Sequence, residues 1–344
     1  LCGHDRRNGS RPTGPPQKKI LLIRWKSIGD VVFTLPALRC LRSNFSDSHI
    51  TYLTSPEFAP LVTTFAVADE VLTVDRARLR RFFDGGLREL LKLWRVLSRS
   101  HFDIVVDFQS YGETAWLSWL TRAPRRWGLI CRPSRAWAYT LAVPRDEKAH
   151  PVDAQLQVLA RGGLDTSRPD NRLDLPVREQ RAAEDLFQQF GLKPDAPTVF
   201  IQPFTSSPQK DWPLDKWLAL GRSLRASGLQ VLFGGGPSER ARLGPAISEN
   251  FPVAAGVDLL TSCALAARCA LVMGADTGLL HLANSAGCRV VLLKRLEAKE
   301  CPYAHPDWVL TPSRSGLPVA EIELEAVLIQ ARQILEPVHS HAAG

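Results

Sequence analysis

The chain has 344 residues, 45% hydrophobic and 23% charged, a globular composition long enough for two domains of common size. No stretch approaches the roughly 20 uninterrupted apolar residues of a membrane span. The net charge of +8 sits in the first half, where residues 1–175 hold 27 Lys and Arg against 18 Asp and Glu, while the remainder holds 16 against 17.

In chain order, residues 1–19 are rich in Gly, Pro and Arg, carry no signal-peptide core and read as a disordered tail. "KILLIRW" predicts a first strand, and Gly29 to Arg42 a helix. "ITYLTS", "EVLTV" and "FDIVVDF" predict further strands, with "LRELLKLWRVLSRS" an amphipathic helix among them. The polar, proline-bearing segment near 166–178 reads as a linker, followed by the helix "EQRAAEDLFQQFG". A second alternating series follows: "TVFIQPF", "LQVLFGGG", "ALVMG" and "RVVLL" as strands. "PLDKWLALGRSLRASG", "SERARLGPAISE", "LTSCALAARC", "TGLLHLANSAG" and "VAEIELEAVLIQARQIL" are expected as helices. Strands alternating with helices predict an α/β architecture of two Rossmann-like units with a cleft between them. The boundaries expected are a tail at 1–19, a first domain at 20–170, a second at 171–335 and a short tail at 336–344.

Seven cysteines, at 2, 40, 131, 263, 269, 288 and 301, form no C-x-x-C pair. That argues against a disulfide framework or a zinc site and fits a reducing cytoplasm. The basic half contains two dense stretches. Arg76, Arg78, Arg80, Arg81, Arg88, Lys92, Arg95 and Arg99 meet only Asp84 and Glu89, and Arg122, Arg125, Arg126, Arg132 and Arg135 meet no acid. They are either a solvated surface or a face for an anionic partner. No nucleic-acid motif accompanies them, so nucleic acid is not the expected partner.

Four stretches carry polar residues at strand-to-helix turns. In "RWKSIGDVVF", Asp30 either caps a helix start or acts as a general base; the turn lacks G-x-G-x-x-G, which disfavours a nicotinamide enzyme. In "QPFTSSPQKDWP", Thr205, Ser206 and Lys210 make a phosphate cradle or a polar surface loop. In "FGGGPSER", Glu239 follows a glycine turn and either contacts a ribose or opens a helix. In "GADTGLLHLANSAG", Asp276-Thr277-Gly278 stands where an apolar strand becomes a helix. That setting excludes an aspartic protease and suits a diphosphate, while His281 is a ligand contact or a packing residue. No D-x-D pair occurs, so the charge of a leaving diphosphate would fall to Lys210, hydroxyls and helix termini rather than to a metal.

"ILLIRWKSIGDVVFTLPALRCLR" resembles the N-terminal motif of the family 9 glycosyltransferases, the bacterial lipopolysaccharide heptosyltransferases. "QKDWPLDKWLAL", "VLFGGGPSE" and "LVMGADTGLLHLANSAG" resemble their C-terminal motifs in the same order, and the likeness covers about residues 19–335. It implies the GT-B fold and inverting, metal-independent transfer from ADP-heptose to the Kdo or heptose of the lipopolysaccharide inner core, with no cofactor. By position it implies Asp30 as base, assisted by Lys210 at the leaving diphosphate. It places Thr205, Ser206, Glu239, Asp276, Thr277, Gly278 and His281 at the donor. The acceptor side is expected at Ser27, Gly29, Arg76, Arg122 and Arg125. An anionic, lipid-linked acceptor would account for the basic half and place the protein on the inner face of the cytoplasmic membrane. The sequence departs from the family at Lys294-Arg295-Leu296, where a Gly-Pro-Ser/Thr turn is usual.

Overall fold

The computed structural model describes residues 17–80 and 86–336. Most of the expected N-terminal tail, Arg81 and Asp84 of the first basic stretch, and the residues after Glu336 lie outside that range.

The chain builds two six-stranded, all-parallel sheets in succession. The first contains β1 (Lys19–Ile23), β2 (His49–Thr54), β3 (Glu70–Thr73), β4 (Ile104–Asp107), β5 (Arg125–Ile130) and β6 (Leu141–Pro144). Its spatial order is β3-β2-β1-β4-β5-β6. Around it lie α1 (Ile28–Val32), α2 (Leu35–Asn44), α3 (Ala59–Thr64), α4 (Arg76–Arg80), α5 (Leu87–Arg99), α6 (Gly112–Leu120) and α7 (Pro151–Arg161). After α8 (Val177–Gln189) comes the second sheet, from β7 (Thr198–Gln202), β8 (Gln230–Gly235), β9 (Val253–Ala255), β10 (Leu271–Ala275), β11 (Val290–Leu293) and β12 (Val309–Leu310). Its order is β12-β11-β10-β7-β8-β9, with α9 (Leu214–Ala226), α10 (Gly244–Ser248), α11 (Leu259–Ala267), α12 (Gly278–Ser285) and α13 (Leu324–Leu335) around it.

Both sheets therefore reverse winding direction beside their first strand, at β1/β4 and at β7/β10. In doubly wound folds such a switch point opens a crevice at the carboxyl ends of the strands. Burial follows the all-parallel design: β4, β7, β10 and β11 are buried at every residue, as expected for strands covered on both faces. One apolar core cluster continues from Ile20, Val31 and Leu38 of the first half to Leu279, Leu280 and Val290 of the second.

The structure differs from the expected elements where proline intervenes. The single helix expected from Gly29 to Arg42 is two, because Pro36 has no N–H to donate to the Val32 carbonyl; the break is closed by Thr34 Oγ, which donates to the Val31 carbonyl at 2.7 Å. The helix expected over "SERARLGPAISE" shrinks to α10, which starts at Gly244-Pro245. β5 lies in the second basic stretch, where no strand was expected. The segment between α7 and α8 is strapped down on both sides: Asn44 and Asp165 exchange two hydrogen bonds, and the Leu173 N–H donates to the Ser285 carbonyl at 2.7 Å.

Candidate active site

β1 is apolar through Ile23 and then ends on Arg24, which is 8% exposed. Its guanidinium donates to the Phe108 carbonyl and pairs with Asp30 Oδ1 at 2.5 Å. The other oxygen, Asp30 Oδ2, accepts from the Ser27 backbone N–H at 3.0 Å and the Ser27 hydroxyl at 3.3 Å. Asp30 is thus the third residue of α1, reaching back to close the helix start. An ionised carboxylate has about four acceptor positions, so these three contacts leave space for one further donor. Burial pushes this carboxyl up, but the charge and hydrogen bond of Arg24, the Ser27 N–H and the charge of Arg145 outweigh it. The pKa therefore falls below the usual 3.8 and Asp30 is an anion at neutral pH.

The strand end beneath Asp30 is fixed from β4. Gln109 Oε1 accepts from the Trp25 and Lys26 backbone N–H groups at 2.7 and 3.1 Å. Asp107 in turn accepts from the Gln109 N–H at 2.8 Å and the Tyr139 hydroxyl at 2.6 Å. Asp107 is fully buried, and burial raises its pKa.

Across the cleft, Asp276 follows β10 and lies between two cations or donors. Its Oδ2 takes Lys210 Nζ at 2.9 Å and its Oδ1 meets His281 Nε2 at 3.2 Å. Burial pushes the carboxyl up, yet His281 and Lys210 together hold it down at about 2. His281 is 3% exposed, packs against Phe33 of α1 with ring centroids 4.7 Å apart, and leaves Nδ1 without a partner. Thr277 caps α12 from an extended backbone, and its buried hydroxyl is also unpartnered. A helix N-terminus, an unpaired hydroxyl and a lysine on one wall form an anion site.

The remaining donor-side residues close their own loops. The Thr205 hydroxyl accepts from the Ser207 N–H at 3.1 Å and donates to the Ser207 carbonyl at 2.7 Å. It shapes the loop rather than offering a free donor, and it is the exposed Ser206 that faces outward. Glu239 Oε2 accepts from the Gly236 N–H at 2.7 Å, which folds the glycine turn and leaves Oε1 without a partner among the described residues.

One cavity of about 880 Å³ is lined from both sides, by Ser27, Gly29 and Asp30 of the first half and by Thr205, Ser206, Lys210, Glu239, Asp276, Thr277, Gly278 and His281 of the second. α1 and α12 touch where the halves meet: a Cβ on Gly278 would lie 2.4 Å from Ile28 Cβ and 3.0 Å from the Gly29 nitrogen, and one on Gly29 would lie 3.0 Å from His281 Cδ2. Glycine at 278 is a requirement of this crossing, and a side chain at 29 would press on the His281 ring.

Arg76 stands at the cleft side of the first sheet, its guanidinium 5.2 Å from the Tyr111 ring centroid and 5.5 Å from that of Trp25. Arg122 and Arg125, expected at the acceptor, are elsewhere. Arg125 opens β5 and pairs with Ile104 at the start of β4, so both arginines lie at the amino end of the sheet, a strand's length from the cavity. The run that carries them is a strand whose first residues are charged, and the strand direction decides which end meets the cleft.

Three contributors went unnoticed in the sequence. Arg24 holds Asp30, and an arginine closing an otherwise apolar strand was the available signal. Gln202 lines the cavity and donates to Glu239 Oε2 at 3.4 Å. Asp258 caps α11 by accepting from the Thr261 N–H at 3.0 Å and also lines the cavity. At the atypical Lys294-Arg295-Leu296 segment, Lys294 is 8% exposed and turns back to the Ala298 carbonyl at 2.8 Å. Burial lowers its pKa against the pull of nearby acidic groups.

The model of glycosyltransferase family 9 (heptosyltransferase) matches residues 90–293. The chain belongs to this family. It is 28% identical over 275 residues to a lipopolysaccharide heptosyltransferase 1 of Pseudomonas aeruginosa, spanning 77% of this chain and 75% of the relative. Among solved structures, a family 9 glycosyltransferase from Veillonella parvula superposes with a TM-score of 0.79 at 22% identity, over 92% of this chain and 97% of that one. The Escherichia coli heptosyltransferase WaaC with ADP-2-deoxy-2-fluoro heptose superposes with a TM-score of 0.73 at 20% identity, over 92% and 99%. The two six-stranded sheets are thus the halves of a GT-B fold, and the enzyme is a glycosyltransferase. Among the described residues, no three His, Cys, Asp or Glu side chains converge as a metal site, and no helix is long and apolar enough to cross a membrane.

Proposed function

We propose that this glycosyltransferase moves a heptose, with inversion and without a metal, from ADP-heptose to the Kdo or heptose of a lipopolysaccharide inner core at the inner face of the cytoplasmic membrane. The observation that carries the reading is the pairing of two groups across one cavity: a carboxylate held ionised on the first sheet, and an anion site at Lys210 and the start of α12 on the second. The donor and acceptor classes are suggested by the relatives, a lipopolysaccharide heptosyltransferase and a heptosyltransferase solved with ADP-2-deoxy-2-fluoro heptose.

Asp30 takes the proton of the acceptor hydroxyl as its oxygen attacks the anomeric carbon. The bond from that carbon to the diphosphate breaks, and ADP leaves with the electron pair. Lys210, the Thr277 hydroxyl and the free N–H groups at the start of α12 stabilise the departing charge. In the structure Lys210 is bound by Asp276, so donor binding exchanges part of that ion pair for the diphosphate. Glu239 Oε1, on the glycine turn, is placed for a ribose hydroxyl. Lys26 and Arg76, both over the Tyr111 ring, are cations near the Asp30 helix start for an anionic acceptor.

The test is a product assay with ADP-heptose and a Kdo-containing lipid A acceptor. ADP should appear only when both are present, with the new glycosidic bond of opposite anomeric configuration. Donor consumed without acceptor and recovered as an isomer would instead make the enzyme an epimerase of the same architecture.

A further inference from the structure

Away from the cavity, α6 and the turn at Pro133–Ala138 display three tryptophans on the surface. Trp116, Trp119 and Trp137 are 55%, 45% and 48% exposed, and each ring meets both others, with centroids 4.7, 5.7 and 6.1 Å apart. Trp116 and Trp119 are one helical turn apart on α6, and Trp137 reaches them from the turn packed against that helix. Half of each ring still faces water. Soluble surfaces rarely keep a contiguous aromatic patch without a partner.

The surrounding charge has one sign. Residues 110–137 contain Arg122, Arg125, Arg126, Arg132 and Arg135 against Glu113 alone, and none of the five arginines forms an ion pair among the described residues. Arg126 and Arg135 are tied to backbone carbonyls, whereas Arg122, Arg125 and Arg132 are exposed. The neighbouring α5 repeats the combination, with Leu87 and Leu91 45% and 40% exposed beside Arg88, Lys92, Arg95 and Arg99.

We propose that this tryptophan patch with its arginine surround docks the enzyme on an anionic lipid bilayer. Tryptophan settles at the headgroup level, where its ring is apolar and its N–H finds an acceptor, and each nearby cation adds attraction to anionic lipid. A second copy of the chain fits less well, because a symmetric contact would set arginines against arginines.

The patch is also connected to the reaction cavity. α6 begins after Tyr111, whose ring carries Arg76 at 5.2 Å and Lys26 at 5.6 Å, and Lys26 adjoins the Ser27–Asp30 helix start. Five residue steps along the helix, roughly 7.5 Å of rise, lead from Tyr111 to Trp116. A bilayer under the tryptophans therefore lies beside the cationic rim that leads to Asp30. The proposal deepens the reading of a lipid-linked acceptor and rests on it for its purpose, but its test does not use the reaction.

The experiment is co-sedimentation of the full chain with vesicles of phosphatidylethanolamine containing about a quarter phosphatidylglycerol, compared with pure phosphatidylcholine. Binding should favour the anionic vesicles and weaken with salt, and W116A/W119A/W137A should lower the partition coefficient by about tenfold or more. All three positions are surface positions, so thermal melting should match the parent. Brominated lipids offer a second measurement that needs no variant: they should quench the parent's tryptophan emission. Unchanged partition of the triple variant, absent quenching, or a parent dimer that the triple substitution turns into monomers without any effect on vesicle binding would each overturn docking. Vesicle binding by an enzyme that fails to glycosylate any lipid A acceptor would leave docking intact and remove the substrate reading. Turnover of a delipidated acceptor by an enzyme that ignores vesicles would do the reverse.

Discussion

Asp30→Asn separates the two tasks of one carboxylate. The amide keeps the shape of the side chain and can still accept from Ser27, so the helix start survives. It cannot take a proton, and general-base catalysis is worth about 10²–10⁴-fold, or roughly 3–5 kcal/mol of barrier. The substitution also strips the counterion from Arg24, which is 8% exposed. Breaking a fully buried pair costs about 3–5 kcal/mol. Asp30 itself is 30% exposed, so solvent reduces this to about 1–3 kcal/mol. ADP release under saturating donor and acceptor measures the first effect, and urea unfolding measures the second. Turnover should fall at least about a hundredfold while donor affinity, measured by titration without acceptor, stays within a few-fold. Turnover within about threefold of the parent would refute the base assignment, since no weaker contribution fits general-base catalysis.

Three further outcomes follow from the same geometry. Because the Asp30 pKa lies below 3.8, the profile of kcat/KM against pH should show no acid limb from this group between pH 5 and 8. Arg24→Gln leaves burial as the dominant influence, and the limb should then move upward toward neutrality; a profile unmoved by that substitution would show that Arg24 does not set the charge of Asp30. Gly278→Ala forces a Cβ to 2.4 Å from Ile28 Cβ, so α1 and α12 must separate, at about 1–3 kcal/mol of overpacking; kcat should fall with the circular dichroism spectrum unchanged. For Asp276, the folded pKa of about 2 against an ordinary 3.8 stabilises the fold by about 2 kcal/mol, fully present above pH 4 and lost as the pH falls through 2. Asp276→Asn should be less stable than the parent by about that amount at pH 7 in urea titrations, and the gap should close as the pH approaches 2.

The alternation of strand and helix was legible because parallel strands buried on both faces are written as apolar runs, as in "ILLI", "IVVD" and "VVLL". β5 was hidden because its first two residues are Arg125 and Arg126, inside a run of charges that reads as surface. β9 and β12 were hidden by length, at three and two residues. Single proline residues, Pro36 and Pro245, decided where helices begin, an effect visible in the sequence but outweighed there by the apolar periodicity around it.

The site residues divide along a similar line. A turn between strand and helix can be read from local sequence, and Asp30, Lys210, Glu239 and Asp276 all stand at such turns. Some of their partners are local, as Ser27 is for Asp30 and Gly236 for Glu239, but others come from distant segments and cannot be read that way. Asp276 lies 66 residues from Lys210, and the cavity joins α1 to α12 across most of the chain.

Gly29 and Gly278 show what this conceals. Each looks like a glycine that lets a substrate approach the backbone, one for the acceptor and one for the diphosphate. In the structure each makes space for the other helix. Gly29 also leaves His281 its place between Phe33 and Asp276, so the imidazole that holds Asp276 is itself positioned by the half of the molecule that carries Asp30. The anion site and the base are therefore coupled through one close crossing. A methyl group added at that crossing should disturb both sides of the cavity at once.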